Sequence, residues 1–288
     1  MISEILPFWS KYWHYILITV ATYVYVMWKS GKMKSDLQDY DNEMEREIPS
    51  EEAEKCASNE EEPALPKDLQ HIPYKYQRPS EAEMRKKANE FFEIANARRT
   101  LRFFSSDPVP KDVIREIIRA AGTAPSGAHT EPWIFVVISD PATKTQIREI
   151  VENEEEINYR KRMGKKWTID LQPLKTNSMK PYLTTAPYLI LVFKQTYGIL
   201  PNGTRKIHYY NEMSVSIACG ILISAIQYAG LVTLTSTPLN CGPALRLLLG
   251  RPNNEKLALL LPVGYPAEDA TVPALERKPL SDILVEID

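Results

Sequence analysis

The chain has 288 residues, 44% of them hydrophobic and 25% charged, a globular balance that suits one domain of ordinary size plus a tail, or two small domains. Its 35 Lys and Arg nearly cancel 37 Asp and Glu, so no basic excess points to nucleic acid, which is set aside as a partner. Three cysteines, Cys56, Cys219 and Cys241, none at CxxC spacing, argue against a disulfide framework and against a structural zinc site.

The first segment, Tyr12 to Trp28, reads YWHYILITVATYVYVMW and contains no Lys, Arg, Asp or Glu. Its length is at the short end of what a membrane helix needs. Aromatic residues gather at both ends, as interfacial belts do, and Lys29, Lys32 and Lys34 follow against only Lys11 before it. This predicts a single membrane helix within residues 1–34, with the C-terminal side facing the cytoplasm. A cleaved signal peptide would begin with positive charge and end in small residues; here the charge comes after, and Met27 and Trp28 close the run. Residues 35–77 are acidic and poor in apolar side chains, so they cannot bury enough surface to fold alone and read as a flexible tether.

Residues 78–288 form the globular unit. Helical periodicity runs through SEAEMRKKANEFFEIANARR, opened by Ser80 and Glu83 as a capping box, and through KDVIREIIRAAGTA. WIFVVIS (Trp133–Ser139) and YLILVFK (Tyr188–Lys194) are short, apolar strands, separated by a helix expected from about Thr143 to Met163. A long apolar helix from about Tyr210 to Ala229 stops at Gly230, and LVTLTST and KLALLLPVGYP read as further strands. Asn202–Gly203 reads as a turn. Strands alternating with helices indicate an α/β or α+β sandwich around one sheet.

Two short segments can carry chemistry. Arg98-Arg99-Thr100-Leu101-Arg102 puts three guanidiniums within five residues, able to fork onto a phosphate or onto carbonyl oxygens of a ring; a solvated basic helix end explains them as well. Ala124-Pro125-Ser126-Gly127-Ala128 has small residues that let backbone N–H groups approach a ligand, although a plain helix-ending turn accounts for the glycine and proline equally. Glu155 and Tyr159, four apart, share a helix face, and a solvated charged helix is the bland account of them. His129 and His208 lack ligand spacing, so no metal is expected. Cys219 reads as core, and Cys241 has no evident base partner.

The RRTLR box followed by APSGAHTEPW resembles the nitroreductase superfamily. The resemblance continues through EEEINYRKRMG, HYYNEMSVSIACG, TPLNCGP, LLGRP, LLPVGYP and ERKPL, covering nearly all of residues 78–288, and it points to the branch that removes iodide from iodotyrosines. The anchor and acidic tether match that branch's layout. The resemblance implies a three-layer α+β sandwich, with a central mixed sheet flanked by helices, in an interlocked homodimer that binds FMN at its interface. It implies that Arg98, Arg99 and Arg102 hold the FMN phosphate and the pyrimidine edge, with Thr100 and Leu101 as backbone neighbours. Ser126 and Gly127 would line the flavin, Thr235, Ser236 and Thr237 would pass its central ring, and Arg277 would bind the phosphate. Thr237 matches the residue whose hydroxyl meets the flavin N5, and is the one catalytic assignment. The absence of a GxGxxG turn agrees with FMN bound outside a dinucleotide fold.

The substrate so implied is mono- or diiodotyrosine. Glu155 would take its ammonium, Lys180 its carboxylate, Tyr159 would donate a hydrogen bond and cover it, and the Ala128 N–H would meet the phenolate oxygen. No second flavin or iron–sulfur motif is present, which implies a partner reductase drawing on NADPH. Two other readings stay open at this point: a general flavin nitroreductase or quinone reductase, and a non-catalytic flavin-binding membrane protein.

Overall fold

The computed structural model describes residues 21–23, 25–26, 65–200 and 203–287. The chain divides into two units, Met1–Glu62 and Pro63–Asp288. In the first unit the described residues are helical, and most of the expected span Tyr12–Trp28 and of the acidic tether lies outside the described residues. Among the described residues no helix is long and apolar enough to cross a membrane.

The second unit is built around β1 (Trp133–Ile138), β2 (Tyr188–Gln195), β5 (Val232–Thr233) and β6 (Glu255–Gly264), in the order β1-β2-β6-β5. Its helices are α1 (Glu81–Ala97), α2 (Lys111–Ala121), α3 (Pro141–Ile157), α4 (Gly164–Leu171), α5 (Tyr182–Thr185), α6 (Asn211–Tyr228) and α7 (Gly242–Leu248). A separate hairpin pairs β3 (Tyr197–Ile199) with β4 (Arg205–Ile207); Asn202 of the expected Asn202–Gly203 turn lies outside the described residues.

β2 is apolar at every position from Tyr188 to Phe193, and its alternation sends side chains to both faces of the sheet. Tyr188, Ile190 and Val192 join Ile114 and Ile117 of α2 and Ala218, Leu222 and Ile226 of α6 on one side. Leu189, Leu191 and Phe193 join Ile147 and Val151 of α3, Leu183 of α5 and Leu245 of α7 on the other. A strand buried on both faces reads as a continuous hydrophobic run and demands a cover on each side, hence three layers. Cys219 lies in the first cluster, where burial pushes its thiol up to about 11; Cys241 lies in the second, pushed up to about 12 chiefly by burial. Neither is a reactive thiolate.

The named strands pair antiparallel throughout. The parallel element that makes the sheet mixed is a bridge between Thr100 and Thr233, with the Leu101 N–H donating to the Thr233 carbonyl at 3.2 Å. The expected strand LVTLTST forms a ladder only at Val232–Thr233; Ser236 then makes a separate bridge to Leu260, exchanging hydrogen bonds of 3.0 and 2.8 Å. The helix expected from Thr143 starts earlier, at Pro141, because Asp140 caps it, its carboxylate accepting from the Thr143 N–H at 2.7 Å. It ends at Ile157, and residues 158–162 widen into a π turn. Ser80 caps α1 by accepting from the Glu83 N–H at 3.3 Å.

Gly264 closes β6 against Pro187: a Cβ there would lie 2.5 Å from the proline Cδ. Gly264→Ala is expected to destabilise the fold by about 1–3 kcal/mol, read from urea unfolding. His208 is 6% exposed, and neither ring nitrogen has a hydrogen-bond partner. Burial, and secondarily the Lys206 charge, pull its pKa from 6.5 down to about 4. A folded pKa below the unfolded one contributes stability that is present above pH 6.5 and lost as pH falls towards 4. The loss is expected to be on the order of 2–3 kcal/mol, and unfolding of His208→Leu across that window should lack this part of the slope.

Candidate functional site

The turn from α1 into the sheet edge sets the first half of the site. α1 stops at Ala97, and Arg98 adopts extended backbone (φ −66°, ψ 129°). The parallel bridge at Thr100 then pins the segment, and Leu101 turns into the core with 8% exposure, its role one of main-chain anchoring. Arg98, Arg99, Thr100 and Arg102 line one cavity of about 660 Å³ with Arg277, Glu276, Pro273 and Leu174. Arg277 donates to the Arg98 carbonyl at 3.1 Å, and Arg99 donates to the Pro273 carbonyl. The C-terminal segment is thereby tied across the arginines. The Arg98 guanidinium is held below its ordinary pKa by burial first, then by the like charges of Arg277 and Arg99. Four guanidiniums against one carboxylate, gathered at the cost of mutual repulsion, form a receptor for a multiply charged anion such as a phosphate monoester.

The second half lies where α3 gives way to its π turn. Lys180 Nζ stands 3.4 Å from Glu155 Oε2 and 5.5 Å from the centroid of the Tyr159 ring, with side-chain exposures of 7% for Lys180 and 14% for Glu155. The structure thus brings the three residues of the expected clamp into contact. Burial pushes the Lys180 ammonium below its ordinary pKa, an effect that the Glu155 charge opposes and Arg102 augments. Burial likewise raises the Tyr159 phenol, again with Arg102 acting on it. The clamp and the arginine cavity are linked through Arg102, which lines the cavity and acts on both Lys180 and Tyr159; Leu174, in the 3-10 turn Gln172–Leu174, lines the cavity as well. Trp167 of α4 packs edge-on against Tyr159 at 4.8 Å between centroids.

The remaining predicted residues sit apart from these within one chain. Ser126 precedes the 3-10 turn Gly127–His129 and accepts from the Glu131 N–H at 3.0 Å, so its hydroxyl braces the loop. Gly127 is pressed on Tyr209: a Cβ would meet the tyrosine carbonyl at 2.9 Å. Ala128 (φ 48°), His129 (φ 53°) and Glu131 (φ 48°) are all left-handed without being glycine, a local strain that costs each about 1–2 kcal/mol. Thr235 is exposed, Ser236 bridges β6, and Thr237 lines a different cavity of about 400 Å³ with Leu239 and Arg246. The arginine cavity, the Ser126–Ala128 turn and Thr237 thus form separate patches on one copy of the chain.

Two participants escaped the sequence reading. Asn158, 1% exposed, donates to Glu155 Oε1 at 3.2 Å and to the Leu239 carbonyl at 3.4 Å, and accepts from Arg162 Nη1 at 3.0 Å. It ties the clamp to the loop that carries Thr237. Leu174 is an ordinary apolar residue between a proline and a lysine, and nothing in its local pattern marks it. Asn158 stands in a run of charged residues, and nothing in that run marks it either.

The family model described as Nitroreductase family matches residues 95–265. The chain belongs to the nitroreductase family. Over 252 residues it is 58% identical to Iodotyrosine deiodinase 1 of Mus musculus, covering 88% of this chain and 85% of that one. It is 61% identical over 220 residues to Iodotyrosine deiodinase 1 of Homo sapiens, 76% of each chain. A crystal structure of oxidized iodotyrosine deiodinase bound to FMN and 3-iodo-L-tyrosine superposes with a TM-score of 0.59 at 28% identity, covering 69% of this chain and 98% of that one. Within the nitroreductase family, the chain falls among the iodotyrosine deiodinases.

Lys180→Met keeps the stem's bulk but leaves Glu155 buried without its cation. We expect a loss of about 2–4 kcal/mol in chemical unfolding, most of it recovered when Glu155→Gln is added.

Proposed function

We propose that this chain is an FMN-dependent reductive dehalogenase that converts mono- and diiodotyrosine to tyrosine and iodide, salvaging the halide. The observation that carries the reading is the buried Glu155–Lys180 pair beside Tyr159, set next to an arginine-lined anion receptor, in a chain so similar to iodotyrosine deiodinases. The residues present fit FMN: a phosphate monoester meets the need of Arg98, Arg99, Arg102 and Arg277 for an anion, and desolvated like charges lose their repulsion once it is there. Ser126, Gly127, Thr235, Ser236 and Thr237 would line its ring, with the Thr237 hydroxyl as hydrogen-bond donor. FMN, once reduced, supplies the two electrons that, with a proton, replace an aryl C–I bond by C–H.

The protein's own part is binding, orientation and exclusion of water. A substrate zwitterion inserted between Glu155 and Lys180 exchanges one internal ion pair for two, Glu155 taking the ammonium and Lys180 the carboxylate. Because burial already disfavours a lone Lys180 ammonium, a carboxylate brought to it restores what desolvation removed. Tyr159 and Trp167 cover the amino-acid end. The left-handed turn at Ala128 presents its backbone N–H to the phenolate oxygen, a donor held in place by strain that the fold has already met.

The working unit in this reading is a homodimer. None of the 17 residues of α1 is buried, and Phe91 and Phe92 are 61% and 57% exposed. The C-terminal segment exposes Leu280, Ile283, Val285 and Ile287. Exposed apolar surface on this scale calls for a cover. A second copy would supply it and would gather the separate patches round one flavin. Residues 1–34 would anchor the protein in a plasma or vesicle membrane with the catalytic unit in the cytoplasm, and a separate NADPH-dependent reductase would reduce the flavin.

Anaerobic mixing of the dithionite-reduced, FMN-loaded protein with diiodotyrosine is expected to release iodide and restore the oxidised flavin spectrum. Iodophenol, which lacks the charged head, should bind far more weakly. Reoxidation by nitroaromatics without iodide release would support a general nitroreductase instead, and a protein that takes up no FMN would be neither enzyme.

A further inference from the structure

Lys180 is held from two directions by one helix. Glu152 and Glu155 lie three residues apart on α3 and so share a face. Glu155 faces the Lys180 ammonium at 3.4 Å, while Glu152 Oε1 accepts the backbone N–H of the same lysine. The Lys180 carbonyl is also engaged, accepting from the Leu183 N–H at 3.0 Å where α5 begins. With both backbone groups bound, the side chain projects from a fixed base towards Glu155.

The hold continues along α3 at helical spacing. Arg148 Nε donates to that same Glu152 oxygen at 2.8 Å, and Arg148 Nη1 donates to Thr184 Oγ1 at 3.1 Å. One turn earlier, Lys144, 6% exposed, donates to the carbonyls of Ala186 at 2.8 Å and Thr184 at 3.2 Å. Three side chains spaced by four thus bind residues 180–186 to α3, and Glu152 is the member that meets the clamp. Its side chain is 17% exposed, so its loss leaves a backbone N–H without its acceptor in a largely dry place.

We infer that Glu152, braced by Arg148, is a positioning residue for recognition of the amino-acid head: it fixes the Lys180 backbone so that the ammonium meets a substrate carboxylate in register with Glu155. The inference rests on the reading of Lys180 as the carboxylate's partner, and its test separates the two.

The test uses the full chain and two readouts. The first needs neither flavin nor substrate: acetylation of Lys180 by an N-hydroxysuccinimide ester, followed by mass spectrometry against exposed lysines of the same protein. Wild type should label slowly at Lys180, Glu152→Ala several-fold faster, and Glu152→Gln near wild type, because an amide oxygen still accepts the backbone N–H. The second compares Kd values of the FMN-loaded protein for iodotyrosine and for 2-iodophenol. Glu152→Ala should weaken iodotyrosine about tenfold, the scale of a lost charged hydrogen bond, and leave 2-iodophenol unchanged. Arg148→Met should move both readouts the same way by a smaller factor, and serves if Glu152→Ala does not fold. Unaltered Lys180 labelling, equal weakening of both ligands, or glutamine as damaging as alanine overturns the positioning role alone. A wild-type protein with no preference for iodotyrosine over 2-iodophenol overturns the substrate reading as well.

Discussion

β2 is apolar on both faces, and that constraint propagates through the rest of the molecule. Leu189, Leu191 and Phe193 on one side and Ile190 and Val192 on the other are fully buried, so each face of the sheet has to carry its own helical layer. No room is left for a polar site within the sandwich. The groups that can do chemistry are displaced to the rim: the arginine segment at the β5 edge, the end of α3, and the strained turn before β1. The interior is rigid because it is dry and closely packed, and the rim inherits that rigidity through short backbone anchors such as the Leu101 and Ser236 hydrogen bonds.

The two charged clusters differ in their electrostatics. The arginine cavity concentrates charge of one sign, which repels itself and is relieved by an anion. The Glu155–Lys180 pair is already neutral and nearly dry, so a lone ion of either sign gains little from it, whereas a zwitterion can satisfy both partners at once. The first arrangement therefore suits a ligand with net negative charge, and the second a ligand with a separated pair of charges. Arg102 acts on both, so an anion bound in the cavity would be felt at the clamp.

Much of this was legible from local pattern. The strands Trp133–Ile138, Tyr188–Gln195 and Glu255–Gly264 and the helices α1, α2 and α6 lie close to their expected places, because apolar periodicity and capping residues are local signals. The short ladder of β5 was not legible: LVTLTST has strand propensity throughout, but only two of its residues find a ladder partner and the chain returns to β6 at Ser236. The early start of α3 was masked because Asp140–Pro141 serves equally to end a strand and to begin a helix. Asn158 and Leu174 matter through partners 81 residues away or across a cavity, which no local pattern encodes.

Sequence alone determined the alternation of strands and helices, the kinds of charge available and, through long ordered strings shared with a known family, the layers and the chemistry to expect. Which charges meet was decided only by the tertiary structure. A guanidinium or carboxylate on a helix is solvated until something packs against it, and nothing in the run Glu152 to Glu156 shows that one carboxylate holds Lys180 by its backbone and another by its ammonium. That division of labour follows from the return of residues 176–186 across α3, a long-range contact whose energy depends on excluding water from both segments at once.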